Sequence, residues 1–422
     1  MPNFNTRFPA GTILFPLPRS SLLSHSGRGE IPLRHDRAAK STPPLPCSTR
    51  PPSTIIPVKS KKLRVGILFG GRSGEHEVSL RSATSILDAI DRRRFEVVPI
   101  GIAKSGHWLT GDSARALLAE SSGPSSTPST ALVAAQLPEP IAARSVDVVF
   151  PVLHGTFGED GTIQGLLELA DIPYVGSGVL GSAAGMDKDV MKRLFAQARL
   201  PIVLHLTLLR TEWEAHPRKS IAAIEAALRY PLFVKPANLG SSVGISKVHD
   251  RSELAPALAL AARFDRKLVI EQGAARGSKR ARELEVAVLG NDAPSASVVG
   301  EIIPGKEFYD YEAKYLSDAS VPIIPAKLTA AESRTIRAMA IEAFRACDLA
   351  GMARVDFLME PDGKRRIYLN EVNTLPGFTS ISMYPKLWQA TGVAYADLIT
   401  RLIELALERS AERARTSFTF ES

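Results

Sequence analysis

The chain has 422 residues, 45% of them apolar and 23% charged, the composition of a globular protein too long for one ordinary core. Its net charge of +8 sits mostly in residues 1–59, where eight Lys/Arg face only Glu30 and Asp36, leaving +2 for the other 363 residues. With no basic stripe interleaved with aromatics, no apolar run of the ~18 residues a membrane span needs, and only the distant Cys47 and Cys347, the chain is expected to bind neither nucleic acid nor membrane, to carry no disulfide framework, and to work in a reducing cytoplasm.

Residues 1–59 hold eleven of the thirty prolines and show no sustained period. Such a segment cannot bury enough apolar surface to offset its ordering entropy. It reads as a disordered extension, a transit peptide, or sequence upstream of an alternative start at Val58. From residue 63 the pattern changes. Residues 63–69 form an apolar run ending in Gly70-Gly71, as a buried parallel strand does. A helical pattern follows over 78–90, then strands over 97–102 and 146–152, with a Ser/Pro/Ala-rich loop over 121–140 between them. Alternating strands and helices predict a small doubly wound parallel sheet. A second unit has a helix over 186–198 and strands over 232–235, 243–248 and 268–271. A third has strands over 284–289, 298–303, 352–359 and 366–371 and a helix over 330–347. The expected domains are 60–176, 177–273 and 274–412, with a flexible tail at 413–422.

Four segments carry chemistry. Near the C-terminus, Asp362-Gly363 is a strong two-residue hairpin signal. Centring the turn there places Asp356 opposite Leu369 and Arg354 opposite Glu371. The period of two puts Arg354, Asp356, Glu371 and Asn373 on one face. Two carboxylates and an amide oxygen suit Mg²⁺; a solvated face with an Arg–Glu pair is the alternative. In the second segment Lys235 ends an apolar strand and leads into Asn238-Leu239-Gly240-Ser241-Ser242-Val243-Gly244. There backbone N–H groups can approach phosphate oxygens; a surface turn is the plainer reading. The third, His154-Gly155-Thr156-Phe157-Gly158-Glu159-Asp160-Gly161, follows a strand and suits the ligand-binding end of a parallel sheet. The fourth is Gly70-Gly71-Arg72-Ser73-Gly74-Glu75. There Glu75 either holds a cationic amine or caps the next helix.

These four segments, in this order and spacing, resemble bacterial D-alanine–D-alanine ligases of the ATP-grasp superfamily. So do Met186-Asp187-Lys188, the run from Phe308 through Lys314-Tyr315, and the run from Glu371 through Gly377 to Ser380. The resemblance spans residues 62–407. It implies a three-domain α/β (α+β) ATP-grasp fold: an N-terminal doubly wound parallel sheet followed by two α+β domains clamping ATP. It implies ligation of two D-alanine molecules to D-alanyl-D-alanine through an acyl phosphate, with two Mg²⁺ (or Mn²⁺) held by Asp356, Glu371 and Asn373. Lys188, Lys235 and Lys314 would face the phosphates beneath a closing Ser241-Ser242 loop. Glu271 would lie at the adenine and Glu283 at the ribose. Residues 273–281 form a longer connection than the family pattern, which leaves the choice between Glu283 and Glu285 open. Glu75 would take the first ammonium, with His154 nearby. Ser382, Met383 and Lys314 would take the second carboxylate, and Arg354 and the Gly377 N–H the oxyanion. Ser241, Tyr315 and Glu75 would form one hydrogen-bonded set, and residues 305–315 a lid. A homodimer is implied by resemblance only. Competing readings are a sister ligase making D-alanyl-D-lactate or D-alanyl-D-serine, a biotin-dependent carboxylase, and a non-catalytic nucleotide-binding scaffold.

Overall fold

A computed structural model describes residues 61–119, 141, 145–275, 279–303 and 321–419. The N-terminal extension, the 121–140 loop, and the 305–315 segment with Lys314 and Tyr315 lie outside the described residues.

The first sheet begins with β1 (Leu63–Gly70), followed by α1 (His76–Ala89), β2 (Phe95–Ile102), β3 (Trp108–Thr110), α2 (Gly111–Ala119) and β4 (Val148–Pro151). Its order is β3-β2-β1-β4, with β1 parallel to both β2 and β4, and β3 an antiparallel edge. An apolar run such as residues 65–70 fits a strand covered on both faces, and all six of these residues are buried. At its end Gly70 adopts φ +90°, and a Cβ there would sit 2.2 Å from the Ile102 carbonyl oxygen. Only glycine fits. That turn delivers Glu75 to the start of α1.

The chain continues through α3 (Thr162–Leu169), α4 (Val179–Met186) and α5 (Lys188–Gln197). The helix expected over 186–198 forms over 188–197, and Met186 instead ends the helix before it. Asp187 is extended (φ −82°, ψ 103°), and its side chain accepts from the N–H groups of Asp189 and Val190. A short acceptor at that place stops one helix and caps the next, which sets Lys188 on the first turn of α5. The second sheet is built from β5 (His205–Leu209), with α6 (Arg210–Ala215) and α7 (Pro217–Ala227) after it. Then come β6 (Leu232–Pro236), β7 (Ser246–Val248), α8 (Arg251–Ala262) and β8 (Lys267–Gln272). Its order is β5-β8-β6-β7, antiparallel throughout. The strand expected from residue 243 starts only at Ser246, because Ser241, Ser242 and Gly244 turn with φ of 50°, 60° and 71°.

The third sheet contains β9 (Arg282–Gly290), β10 (Ser295–Ile303), β11 (Val321–Ile323), α9 (Ala330–Ala346), β12 (Gly351–Met359) and β13 (Ile367–Asn373). Its order is β11-β10-β9-β12-β13. Helix α5 packs Met191 and Phe195 beneath it, beside Phe344 of α9 and Phe357 of β12. Two last helices, α10 (Met383–Thr391) and α11 (Tyr395–Arg413), follow. Leu398, Ile399, Leu402 and Ile403 of α11 recur at helical spacing and join the core of the first sheet with Phe69, Phe95 and Phe150. The end of the chain thus locks onto its first strands.

The register of the β12–β13 hairpin differs from the one expected. Asp356 pairs with Glu371 and Arg354 with Asn373, whereas Phe357 pairs with Leu369. Asn370 is the extra residue of a β-bulge, which shifts pairing by one and bends the strand. The shared face of Arg354, Asp356, Glu371 and Asn373 survives, because directly opposed residues point the same way. The turn side is already one residue out from the expected pairing, and the bulge adds a second, which sets the two carboxylates directly opposite each other.

Candidate active site

Two cavities meet at the hairpin face. The smaller, about 190 Å³, is lined by Phe233, Lys235, Glu271, Glu283, Asp356 and Asn370, among others. The larger, about 460 Å³, is lined by Glu75, Lys188, Ser241, Asn373, Gly377 and Ser382, among others. Ser242, Ile245, Glu285, Arg354 and Glu371 line both.

At the mouth of the larger cavity the Ser241 hydroxyl donates to Glu75 Oε1. A Cβ at Gly240 would lie 3.0 Å from Glu75 Oε2, so the small residue lets the loop close onto the carboxylate. Glu75 forms no side-chain cap on α1, and of the two readings of this residue the cavity-facing one fits. Gly377, Ser382 and Met383 line the same cavity. The Ser382 hydroxyl is fixed by Thr379, whose backbone N–H donates to it at 3.0 Å.

His154 stands behind this cavity. Its Nδ1 lies 2.9 Å from the Leu375 carbonyl oxygen. A carbonyl only accepts, so that nitrogen carries the proton. Nε2 then accepts from the Ser82 hydroxyl at 3.3 Å, and Ser82 Oγ accepts from the Phe378 N–H. Burial lowers the pKa of His154, against the pull of Glu75. A neutral imidazole thus braces the turn that carries Gly377.

In the smaller cavity Lys235 Nζ lies 2.7 Å from Glu271 Oε2, and Lys192 Nζ lies 2.9 Å from Glu271 Oε1. The Glu271 side chain is 3% exposed. Its carboxylate is held between two lysines, while the end of β8 lines the cavity. Burial alone would raise the Glu271 pKa, but Lys192 and Lys235 hold it well below the usual carboxylate range. The two phosphate-facing lysine candidates shift in opposite directions. Burial lowers Lys188, whose ammonium donates to the Leu239 carbonyl oxygen at 2.7 Å. Burial also disfavours the charge on Lys235, but Glu271 and Glu371 outweigh it and raise its pKa.

On the hairpin, Arg354 donates to both Asp356 oxygens at 2.8 and 2.7 Å and approaches Glu285 Oε2 at 3.3 Å. Asp356, Glu371 and Asn373 offer hard oxygen donors on one face that opens into both cavities. That donor set fits Mg²⁺ bound through one or two carboxylates, with phosphate oxygens from a nucleotide filling the rest of the shell.

The N-terminal D-ala D-ala ligase family model matches residues 64–177 and the C-terminal one residues 194–404. The chain belongs to the D-Ala–D-Ala ligase family. A D-alanine--D-alanine ligase of Heliobacterium modesticaldum is 51% identical over 84% of this chain and 98% of its own length. One from Natranaerobius thermophilus is 49% identical over 85% and 99%. The solved D-alanine-D-alanine ligase of Coxiella burnetii has a TM-score of 0.68 at 34% identity, covering 84% of this chain and 97% of that one. The VanG D-Ala:D-Ser ligase of Enterococcus faecalis gives 0.69 at 36%, covering 82% and 100%. The architecture is thus that of ATP-grasp ligases.

Two site residues carried no role in the sequence reading. Glu159 Oε1 accepts from the Gly155 N–H at 2.9 Å and Oε2 from the Leu375 N–H at 3.4 Å. Burial, then Glu75, pushes its carboxyl up to about 8. Its place within the segment around His154 was the available signal. Lys192 is the other. It lies four residues after Lys188 and hence on the same helix face.

Proposed function

We propose that this chain joins two D-alanine molecules to D-alanyl-D-alanine at the expense of ATP, releasing ADP and phosphate, for peptidoglycan precursor synthesis. The observation that carries the reading is the hairpin face shared by the lysine-lined smaller cavity and a second cavity behind the Glu75–Ser241 contact. Phosphoryl transfer followed by acyl transfer needs two ligand sites that meet at one set of charge-compensating groups.

ATP takes the smaller cavity, with Lys235, Lys188 and the Ser241-Ser242 loop about its phosphates. The β8 end at Glu271 lies at the adenine and Glu283 at the ribose. Asp356, Glu371 and Asn373 would hold two Mg²⁺ (or Mn²⁺), which would supply charge neutralisation for the transferring phosphoryl group. Glu75 receives the ammonium of the first D-alanine and orients its carboxylate to attack the γ-phosphate, giving an acyl phosphate. The amine of the second D-alanine attacks the acyl carbon. Arg354 and the Gly377 N–H stabilise the oxyanion, and one such donor is worth about 3–4 kcal/mol. Ser382, Met383 and Lys314 position the second carboxylate. His154 supports the Gly377 turn from behind. The proposed working form is a cytoplasmic homodimer of chains with domains at 60–176, 177–273 and 274–412.

The D-alanyl-D-serine and D-alanyl-D-lactate readings are disfavoured. The relatives at 49–51% identity are named D-alanine--D-alanine ligase; the solved D-Ala-D-Ala and D-Ala:D-Ser ligases, at 34% and 36%, do not separate the two readings. The test is ADP release with ATP, Mg²⁺ and D-alanine, compared with the same mixture lacking D-alanine. Equal release in both would remove the ligase reading.

A further inference from the structure

Lys192 has no exposed side-chain surface, and a buried ammonium persists only when it is paired and hydrogen-bonded. Its two partners are specific. Nζ donates to the Asn370 carbonyl oxygen at 3.2 Å and pairs with Glu271 Oε1 at 2.9 Å. Asn370 is the residue that breaks the pairing of β13 with β12, from Asp356↔Glu371 on one side to Phe357↔Leu369 on the other. Glu271 is the carboxylate shared with Lys235. One buried ammonium therefore touches both the bulge that sets the two carboxylates opposite each other and the anion that flanks a phosphate-facing lysine.

We propose that Lys192 is a positioning residue that holds the β13 bulge in register, so that Glu371 stands opposite Asp356, and takes one oxygen of Glu271 so that Lys235 is not fully neutralised. The proposal rests on the metal and nucleotide roles proposed above. A bulge leaves one residue outside the ladder, and its carbonyl needs a donor when water is excluded. Lys192 is that donor, supplied by α5 from beneath the sheet. Without it the register of residues 367–373 loses its anchor, and a one-residue slip would turn Glu371 away from the shared face. Glu271, released from Lys192, would turn its full charge to Lys235 and weaken the pull on phosphate oxygens. Lys192 touches no substrate in this arrangement. Its influence passes through Glu371 and Lys235 to the metal and the nucleotide, and leaves the D-alanine end at Glu75 unaffected.

The experiment compares wild type, Lys192→Met and Lys192→Arg in the full chain. It uses three readouts: Mn²⁺ binding in the presence of ADP followed by electron paramagnetic resonance, hydrogen exchange of peptides covering residues 367–373 without ligands, and KM for D-alanine at saturating metal. Lys192→Met should weaken Mn²⁺ binding about tenfold or more, the scale of losing a group that orients metal ligands. It should also speed exchange in 367–373 while changing the first-site KM for D-alanine less than about twofold, as expected of a group that acts only through the metal and nucleotide. Lys192→Arg keeps the charge, guards against a Met variant that does not fold, and should give a smaller loss of Mn²⁺ affinity with the same pattern. A folded variant with unchanged Mn²⁺ affinity and unchanged exchange would overturn the proposal. So would a D-alanine KM that rises as much as the metal constant, which marks a general structural role. Wild type without metal-dependent D-alanine ligation would instead remove the reading on which the proposal rests.

Discussion

Beside the smaller cavity Glu271 is buried between Lys192 and Lys235; beside the larger one Glu159 is buried against two backbone N–H groups, facing Glu75. Both are fully enclosed glutamates, yet the first is held well below the usual carboxylate range and the second is pushed up to about 8. The contrast follows from the count of opposite charges within reach. In the proposed arrangement the smaller cavity keeps fixed ions ready for phosphates, and the larger keeps a protonated Glu159 and an uncharged His154 beside the Glu75 that would meet an ammonium.

Breaking the ionic side should have the largest effect. Asp356→Ala or Glu371→Ala removes an oxygen donor from the shared face, and turnover should fall by about two to three orders of magnitude or more. Both residues are only partly buried, so thermal melts should stay close to wild type. Near-normal Mg²⁺-dependent turnover in either variant would remove the metal assignment.

A smaller loss is expected at the loop joining the two sides. Ser241→Ala deletes the donor to Glu75. A buried polar partner left unsatisfied costs about 1–3 kcal/mol, so kcat/KM for the first D-alanine should drop by about ten- to a hundredfold. Little change in ATP affinity without D-alanine would locate the effect. An unchanged kcat/KM would show that the contact is incidental.

The near-neutral side can be tested through pH. The Glu159 carboxyl is raised above its ordinary 4.5, to about 8. Below pH 4.5 both folded and unfolded chains hold the proton. As pH rises towards 8 the unfolded chain releases it and the folded chain retains it, so folding stability falls, by at most about 1.4 kcal/mol per pH unit. Glu159→Gln mimics the protonated group and removes that dependence. Its stability relative to wild type should therefore grow between pH 5 and 8 in denaturant titrations. A difference independent of pH would mean that Glu159 is an anion in the folded protein.

The smallest effect is expected from deleting residues 1–59. Both family models begin beyond them, and their Pro-rich composition predicts no core. The truncated chain should keep wild-type turnover and melting temperature, and a clear loss of either would assign the segment a structural role.

Much of the fold was legible because its cause is local. Two apolar runs, the first ending in Gly70-Gly71, form β1 and β4, and the Asp362-Gly363 turn joins β12 to β13. The hairpin pairing departs from the expected one twice, by one residue at the turn side, where Phe357 meets Leu369, and by one more at the bulge, which is not local to the turn. One signal was present: Leu369 and Val372 are both buried although three residues apart, a spacing that strict alternation forbids. Asp187 was passed over as a helix interruption because the apolar period continues across it, while its side chain caps α5. The residue types around the hairpin and at Glu75 were readable from sequence. The roles of Lys192, Glu159 and the inward-facing His154 were not, since each depends on partners distant in sequence, such as Asn370 and Leu375.

In the proposed reaction the carboxylate of one D-alanine takes a phosphoryl group at the shared face before the amine of a second attacks. D-alanine labelled with ¹⁸O in its carboxylate, incubated with ATP and Mg²⁺, tests this directly by mass analysis of phosphate and dipeptide. One ¹⁸O should appear in the phosphate for each D-alanyl-D-alanine formed. Unlabelled phosphate released alongside dipeptide would contradict it.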